Sequence, residues 1–176
     1  MNEDINIWLE AKGKKVLSQI GIKPEMKVLD FGAREGYFAM PAADIVGSEG
    51  KVIAVEQNES SLKNLSENIS KNNYSNIEII NNEGKLNFDV DNTSIDFIIL
   101  FDVFHEIEEK DVLLKNFLNI LKTGGVLSVF DSHIFNWAKL KDKIKGNDFK
   151  YKKNYKMELL HNYNLMKGEI NNFMKI

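Results

Sequence analysis

The sequence predicts an α/β fold: a doubly wound, mostly parallel sheet of seven strands that closes with a C-terminal antiparallel hairpin. Three observations carry this expectation. Near-continuous apolar runs recur along the first 131 residues ("MKVLDF", "KVIAVE", "IEII", "IDFIILF", "GVLSVFD"), as strands buried on both faces should read. Segments with helical spacing of apolar residues separate them, so strand and helix alternate. After Asp131 the rhythm changes to a period of two, the mark of a long strand with one wet face.

Taken in order, Ile5, Trp8, Leu9, Val16, Leu17 and Ile20 form an entry helix that Gly13 interrupts and that Gly21 with Pro24 stops. "MKVLDF" is the first strand, "GYFAMPAADIVG" a helix closed by Gly47, and "KVIAVE" the second strand. Ser60 or Ser61 can cap the next helix, which runs to about Asn72 with Leu62, Leu65 and Ile69 inward. Val112, Leu113, Phe117, Leu118 and Leu121 mark a further helix, ended by "TGG" before the fifth strand. Residues 136–145 form a Lys-rich helix that Gly146 ends; "FKYKKNYKMEL" alternates as a strand, and "GEINNFMKI" returns antiparallel to it. With no repeat and no linker, the chain reads as one domain: a helical cap over 1–25, a core over 26–135, and a helix with antiparallel strands over 136–176.

Composition narrows the chemistry. A chain of 176 residues can bury about 70% of its unfolded surface in one core. Without cysteine, disulfides, zinc-thiolate sites and thiol nucleophiles are excluded. The acidic N-terminus "MNEDINIW" is unlike a secretory signal, and the longest apolar run, Phe97–Phe101, is too short to span a bilayer, so a cytoplasmic location is expected. Residues 1–138 carry 13 basic and 22 acidic side chains, and residues 139–176 carry 10 and 4. The acidic body would repel a phosphate backbone, which disfavours nucleic acid despite the basic C-terminal third.

The stretch "VLDFGAREGYFAMP" holds the clearest functional signal. In open α/β sheets ligands collect at the carboxyl ends of strands. Glycines let a ligand approach the backbone, and a following helix N-terminus favours an anion. Gly32 and Gly36 alone are equally consistent with a tight strand-to-helix turn. Glu56 adds weight: it closes the second strand, 20 residues beyond Gly36, where a carboxylate can accept both hydroxyls of a ribose.

A dinucleotide dehydrogenase also carries that acid, but its loop reads G-x-G-x-x-G, whereas here Asp30 is followed by Gly32-Ala33-Arg34-Glu35-Gly36. This arrangement resembles the class I S-adenosylmethionine-dependent methyltransferases, whose first motif reads like VLDxGxGxG. The resemblance continues over roughly residues 26–135, in "NNEGKLNFDVDNTSIDFIIL", "FDVFHEI" and "LKTGGVLSVFD". It implies a Rossmann-like fold, S-adenosylmethionine as cofactor and methyl transfer to a small molecule. By the same resemblance the cofactor is held by Asp30, Gly32, Ala33, Arg34, Gly36, Glu56, Gln57, Glu83, Gly84 and Phe101, with Glu83 on the adenine amino group. One departure stands out. The family's middle glycine is Arg34, whose guanidinium either crowds the methionine end of the cofactor or pairs with its carboxylate.

Methyl transfer from a sulfonium demands alignment and exclusion of water more than catalytic side chains. Asp102, Asp131 and His133 are the candidate substrate contacts, and His105 the candidate base for an acceptor that must lose a proton. No metal site is expected, because Asp131 and His133 lack a third ligand at sensible spacing. No Ser-His-Asp constellation is visible either. Lacking an inserted lid, the pocket is covered by the N-terminal helix or by a second subunit of a homodimer. Two alternatives stay open: a non-catalytic methyltransferase-like binding module, and an NAD(P)-dependent oxidoreductase.

Overall fold

A computed structural model of the chain describes residues 2–134 and 136–176. The entry helix is continuous: α1 (Glu3–Ile7) passes through a π-helical turn (Trp8–Lys12) into α2 (Gly13–Ile20). Gly13 does not break it. A Cβ there would stand 2.9 Å from Pro41 Cγ and from the Trp8 carbonyl oxygen, so the glycine admits a neighbouring helix. β1 (Lys27–Phe31) and β2 (Lys51–Glu56) flank α3 (Ala39–Val46), and Gly47 terminates α3 at a φ of 71°. α4 (Glu59–Lys71) is capped by Asn58 rather than by a serine: its side-chain oxygen accepts from the Ser61 N–H at 3.0 Å.

β3 (Ile77–Asn81) and β4 (Ile95–Phe101) follow, and α5 (Lys110–Ile120) leads into β5 (Leu121–Phe130). The helix therefore stops before "TGG". Leu121 is already extended and pairs with Ile95, and the register slips before Phe97. Its side chain stays buried, which is why the helical period reads through it. α6 (Trp137–Lys145), β6 (Phe149–His161) and β7 (Asn164–Lys175) complete the chain.

The seven strands lie in the order β3-β2-β1-β4-β5-β7-β6, matching the expected doubly wound sheet with its antiparallel hairpin. β1 to β5 are mutually parallel. β7 is antiparallel to both β5 and β6, so β6 runs in the direction of β1–β5. Side chains alternate between two cores. Val28, Ala54 and Phe97 face Leu17, Ala42 and Leu65 of the first four helices; Leu29, Ile53 and Ile98 face Phe117 and Ile144 of the last two. Each fully buried Leu, Ile or Phe contributes about 1.5–3 kcal/mol, which holds the carboxyl ends of the strands rigidly in one rim.

Candidate active site

The sheet order reverses between β1 and β4, and a cleft of about 710 Å³ opens there along the carboxyl rim. Its near wall is the loop after β1. Gly32 and Gly36 take φ values of 80° and 90°, and the N–H groups of Gly32 and Ala33 both donate to the Val55 carbonyl, at 2.9 and 3.0 Å. A side chain at 32 would meet Val103 at 3.1 Å, so the loop passes close under the segment after β4.

Glu56 organises the next corner. Its Oε2 accepts from the Arg34 N–H, and its Oε1 from the N–H groups of Gln57 and Asn58, each at 2.8 Å. The carboxylate thus ties the loop after β1 to the start of α4 while lining the cleft, and Oε2 keeps one lone pair unused. Asp30 lies behind it, 2% exposed, and its Oδ2 has no partner. Burial, and then the neighbouring charge of Glu56, push its carboxyl up to about 7 against an opposing hydrogen bond from the Ala39 backbone.

At the far corner the structure departs from expectation. Glu83 does not line the cleft; its φ of 50° turns it outward, where it pairs with Lys85 at 2.7 Å. Asn82 takes the lining position, buried, its amide donating to the Lys85 carbonyl at 2.7 Å. Gly84 and Gln57 line the cleft beside it.

The end under β4 and β5 gathers all three histidines of the chain. Asp131, 1% exposed, holds two of them: its Oδ2 accepts the His105 backbone N–H (2.9 Å) and lies 3.0 Å from His105 Nδ1, and its Oδ1 accepts the His133 N–H (3.0 Å). Asp102, at a φ of 53°, accepts from the Ser132 N–H and hydroxyl through Oδ1, and its Oδ2 lies 2.6 Å from His161 Nδ1. The His133 ring lies between the other two, with centroids 4.3 Å from His105 and 5.5 Å from His161.

Ser132, His161 and Asp102 thus do meet, contrary to expectation. The Ser132 hydroxyl lies 3.3 and 3.4 Å from the two ring nitrogens of His161 alike, beside the ring rather than in line with Nε2, so it braces the carboxylate instead of acting as a nucleophile. Spacing along the chain gives Asp131 and His133 no third metal ligand, but in space Asp102, His133 and His161 stand together.

Of the residues singled out from sequence, Gly32, Arg34, Glu56, Gln57, Gly84 and Phe101 line the cleft at the first two corners, and Asp102, His105 and His133 at the third. Ala33 lines a smaller adjoining hollow of about 40 Å³. Asp30, Gly36 and Asp131 support the wall from behind. Asn82 and His161 were missed: Asn82 stands one position from an acid that matched a motif, and no motif precedes His161. The cover comes from His161 and Asn162 at the β6–β7 turn; among the described residues none before Phe31 lines either cavity. Among the described residues, five carboxylates, Glu56, Asp102, Glu106, Glu108 and Glu109, face the cleft against the one guanidinium of Arg34. A cationic ligand suits such a wall, and a pyrophosphate does not.

Residues 22–175 match the family described as the methyltransferase domain. The chain belongs to that family. The ubiquinone/menaquinone biosynthesis C-methyltransferase UbiE of Shewanella woodyi is 27% identical over 133 residues, covering 74% of this chain and 53% of that protein. Its namesake from Ectopseudomonas mendocina is 26% identical over 165 residues, covering 84% and 64%. The chain therefore spans about half to two thirds of these relatives' length. Among solved structures, a SAM-dependent methyltransferase from Aquifex aeolicus superposes with a TM-score of 0.85 at 19% identity, covering 99% of this chain and 95% of that one. The [4+2]-cyclase SpnF superposes at 0.73 with 11% identity, covering 92% and 81%. These likenesses establish the fold, and the second shows that the fold also carries other chemistry.

Proposed function

We propose that the chain binds S-adenosylmethionine in this cleft and transfers its methyl group to a small-molecule acceptor at the histidine end. The observation that carries the reading is Glu56: a carboxylate fixed by three backbone N–H groups at the tip of β2, facing a cleft whose wall is acidic. The cofactor fits the residues present. Glu56 Oε2 has a lone pair left for a ribose hydroxyl, Asn82 supplies the polar group at the base end in place of Glu83, and Asp30, with one oxygen orphaned, lies buried behind the loop. Arg34, exposed and lining the wall, pairs with the cofactor carboxylate.

When bound, the sulfonium supplies a methyl carbon open to in-line displacement, with a neutral thioether as leaving group. The chain's part is orientation and proton handling. The Asp131 contact assigns the His105 proton to Nδ1 and leaves Nε2 to accept a proton from the acceptor. Phe101 and the β6–β7 turn limit access of water. The acidic lining disfavours nucleic acid as partner. Among the described residues no helix is long and apolar enough to cross a membrane, and we place the reaction in the cytoplasm.

A non-catalytic binding module is favoured by one observation: Arg34 occupies a left-handed position, φ 48°, where the resemblance calls for glycine. Melting in the presence of ligands separates the readings. At 100 times its dissociation constant a ligand stabilises the native state by about 2.7 kcal/mol. S-adenosylmethionine and its demethylated product both raise the melting temperature, NAD does not, and Glu56→Ala abolishes most of the shift. Because that variant also strips three N–H groups of their acceptor, it is read by its lost ligand response and not by its basal stability. No shift with any of the three ligands would overturn cofactor binding.

A further inference from the structure

We propose that Asp102, His133 and His161 form a binding site for one divalent transition-metal ion of the zinc class, at the acceptor end of the cleft. Each offers one ligand atom, and the three atoms lie within 4.8 Å of one another. They come from the ends of three different strands, β4, β5 and β6. Two imidazoles and a carboxylate are the donor set that zinc takes when it keeps a coordination position open for water or substrate.

The surroundings hold these donors in place. The Ser132 N–H and hydroxyl occupy Asp102 Oδ1, at 2.9 and 3.0 Å, and leave Oδ2 turned to the histidines. Asp131 pins the His133 backbone N–H at 3.0 Å. Supporting hydrogen bonds of this kind orient metal ligands. Among the described residues neither Asp102 nor Asp131 pairs with a lysine or arginine, so carboxylate charge at this end is answered only by histidines. A divalent cation supplies what is missing.

Donors bound to a common ion at about 2.0–2.2 Å stand roughly 3.0–3.6 Å apart. The 2.6 Å between Asp102 Oδ2 and His161 Nδ1 must therefore open, and His133 must swing inward. Both moves are side-chain rotations, and His133 is exposed and free to make its own. All three ligands line the cleft, so the open position faces the acceptor space. If the methyltransferase reading holds, the ion there holds an acceptor through an oxygen or sulfur lone pair.

The test uses untagged full-length protein, stripped with a chelator, titrated with Zn²⁺ by calorimetry and with Co²⁺ by visible absorption. Cofactor and acceptor are left out, so the result stands apart from methyl transfer. One ion binds per chain, Co²⁺ shows the absorption of a low-coordinate site, and His133→Ala and His161→Ala each weaken binding by about tenfold or more. The exposed His133 keeps one variant readable even if His161→Ala fails to fold. Absence of stoichiometric binding in the wild type, or affinity that survives His133→Ala, overturns the site.

Discussion

At the scale of single residues, Asp30 makes the clearest demand on the fold. Its carboxyl titrates at about 7 in the folded chain, because burial and then Glu56 disfavour its charge, against an unperturbed value of 3.8. Below about pH 4 both folded and unfolded chains hold the proton, and the stabilising contribution is complete. As pH rises from about 4 to 7 the unfolded chain releases the proton first, so stability falls by up to about 1.4 kcal/mol per pH unit from this group. Above 7 the loss is constant. Asp30→Asn removes the dependence: urea midpoints measured from pH 4 to 8 should decline less steeply for the variant than for the wild type. Parallel declines would show that Asp30 does not titrate in that window.

Gly36 makes a steric demand. Its φ is 90°, and a Cβ would stand 2.7 Å from Leu65 Cδ1 in the core. Gly36→Ala should cost about 1–3 kcal/mol, which at this chain length lowers the melting temperature by about 2–4 °C per kcal/mol. An unchanged melting temperature would mean that the loop relaxes freely. Gly32, Gly36 and Glu56 were legible because each answers a requirement of backbone or chemistry that few residue types can meet. Asn82 was not: the choice between it and Glu83 depends on one left-handed dihedral, which sequence does not carry.

At the scale of elements, periodicity found the long helices and strands, and apart from the unbroken passage through Gly13 the errors fell at their ends. The cap of α4 is an example. Serine at 60 or 61 and asparagine at 58 are all good caps, but Glu56 binds the N–H groups of Gln57 and Asn58 and so sets where the helix begins. Asn58→Ala should cost about 1 kcal/mol through the lost bond to the Ser61 N–H, read as a lower urea midpoint with an unchanged slope. The β6–β7 turn was hidden for a different reason. His161 pairs with Asn164, and both Asn162 and Tyr163 have positive φ, the geometry of a two-residue primed turn. Its usual mark is glycine in the second place. Here that place holds Tyr163, whose carbonyl accepts from the Asn2 side chain and whose ring lies edge-on to Tyr37. Contacts across the chain stabilise a turn that local propensity disfavours.

At the scale of the whole molecule, the direction of β6 explains both the site and why His161, one of the two residues missed, could not be read from the sequence. Because β7 inserts antiparallel between β5 and β6, the last residue of β6 arrives at the same rim as the ends of β1, β2, β4 and β5, and brings His161 to Asp102. Strand order is a long-range property, invisible to spacing along the chain. The same rim concentrates negative charge: five carboxylates line the cleft against Arg34. If the cofactor assignment holds, S-adenosylmethionine, which carries a positive sulfonium, gains attraction there that its neutral-sulfur product does not. Screening shortens to about 8 Å at physiological ionic strength and further above it. Calorimetric titrations between about 20 and 300 mM salt should then show S-adenosylmethionine weakening more steeply than the product, by roughly threefold over the range. Equal slopes for the two ligands would mean that the acidic wall takes no part in selecting the cation, and that shape alone holds the cofactor.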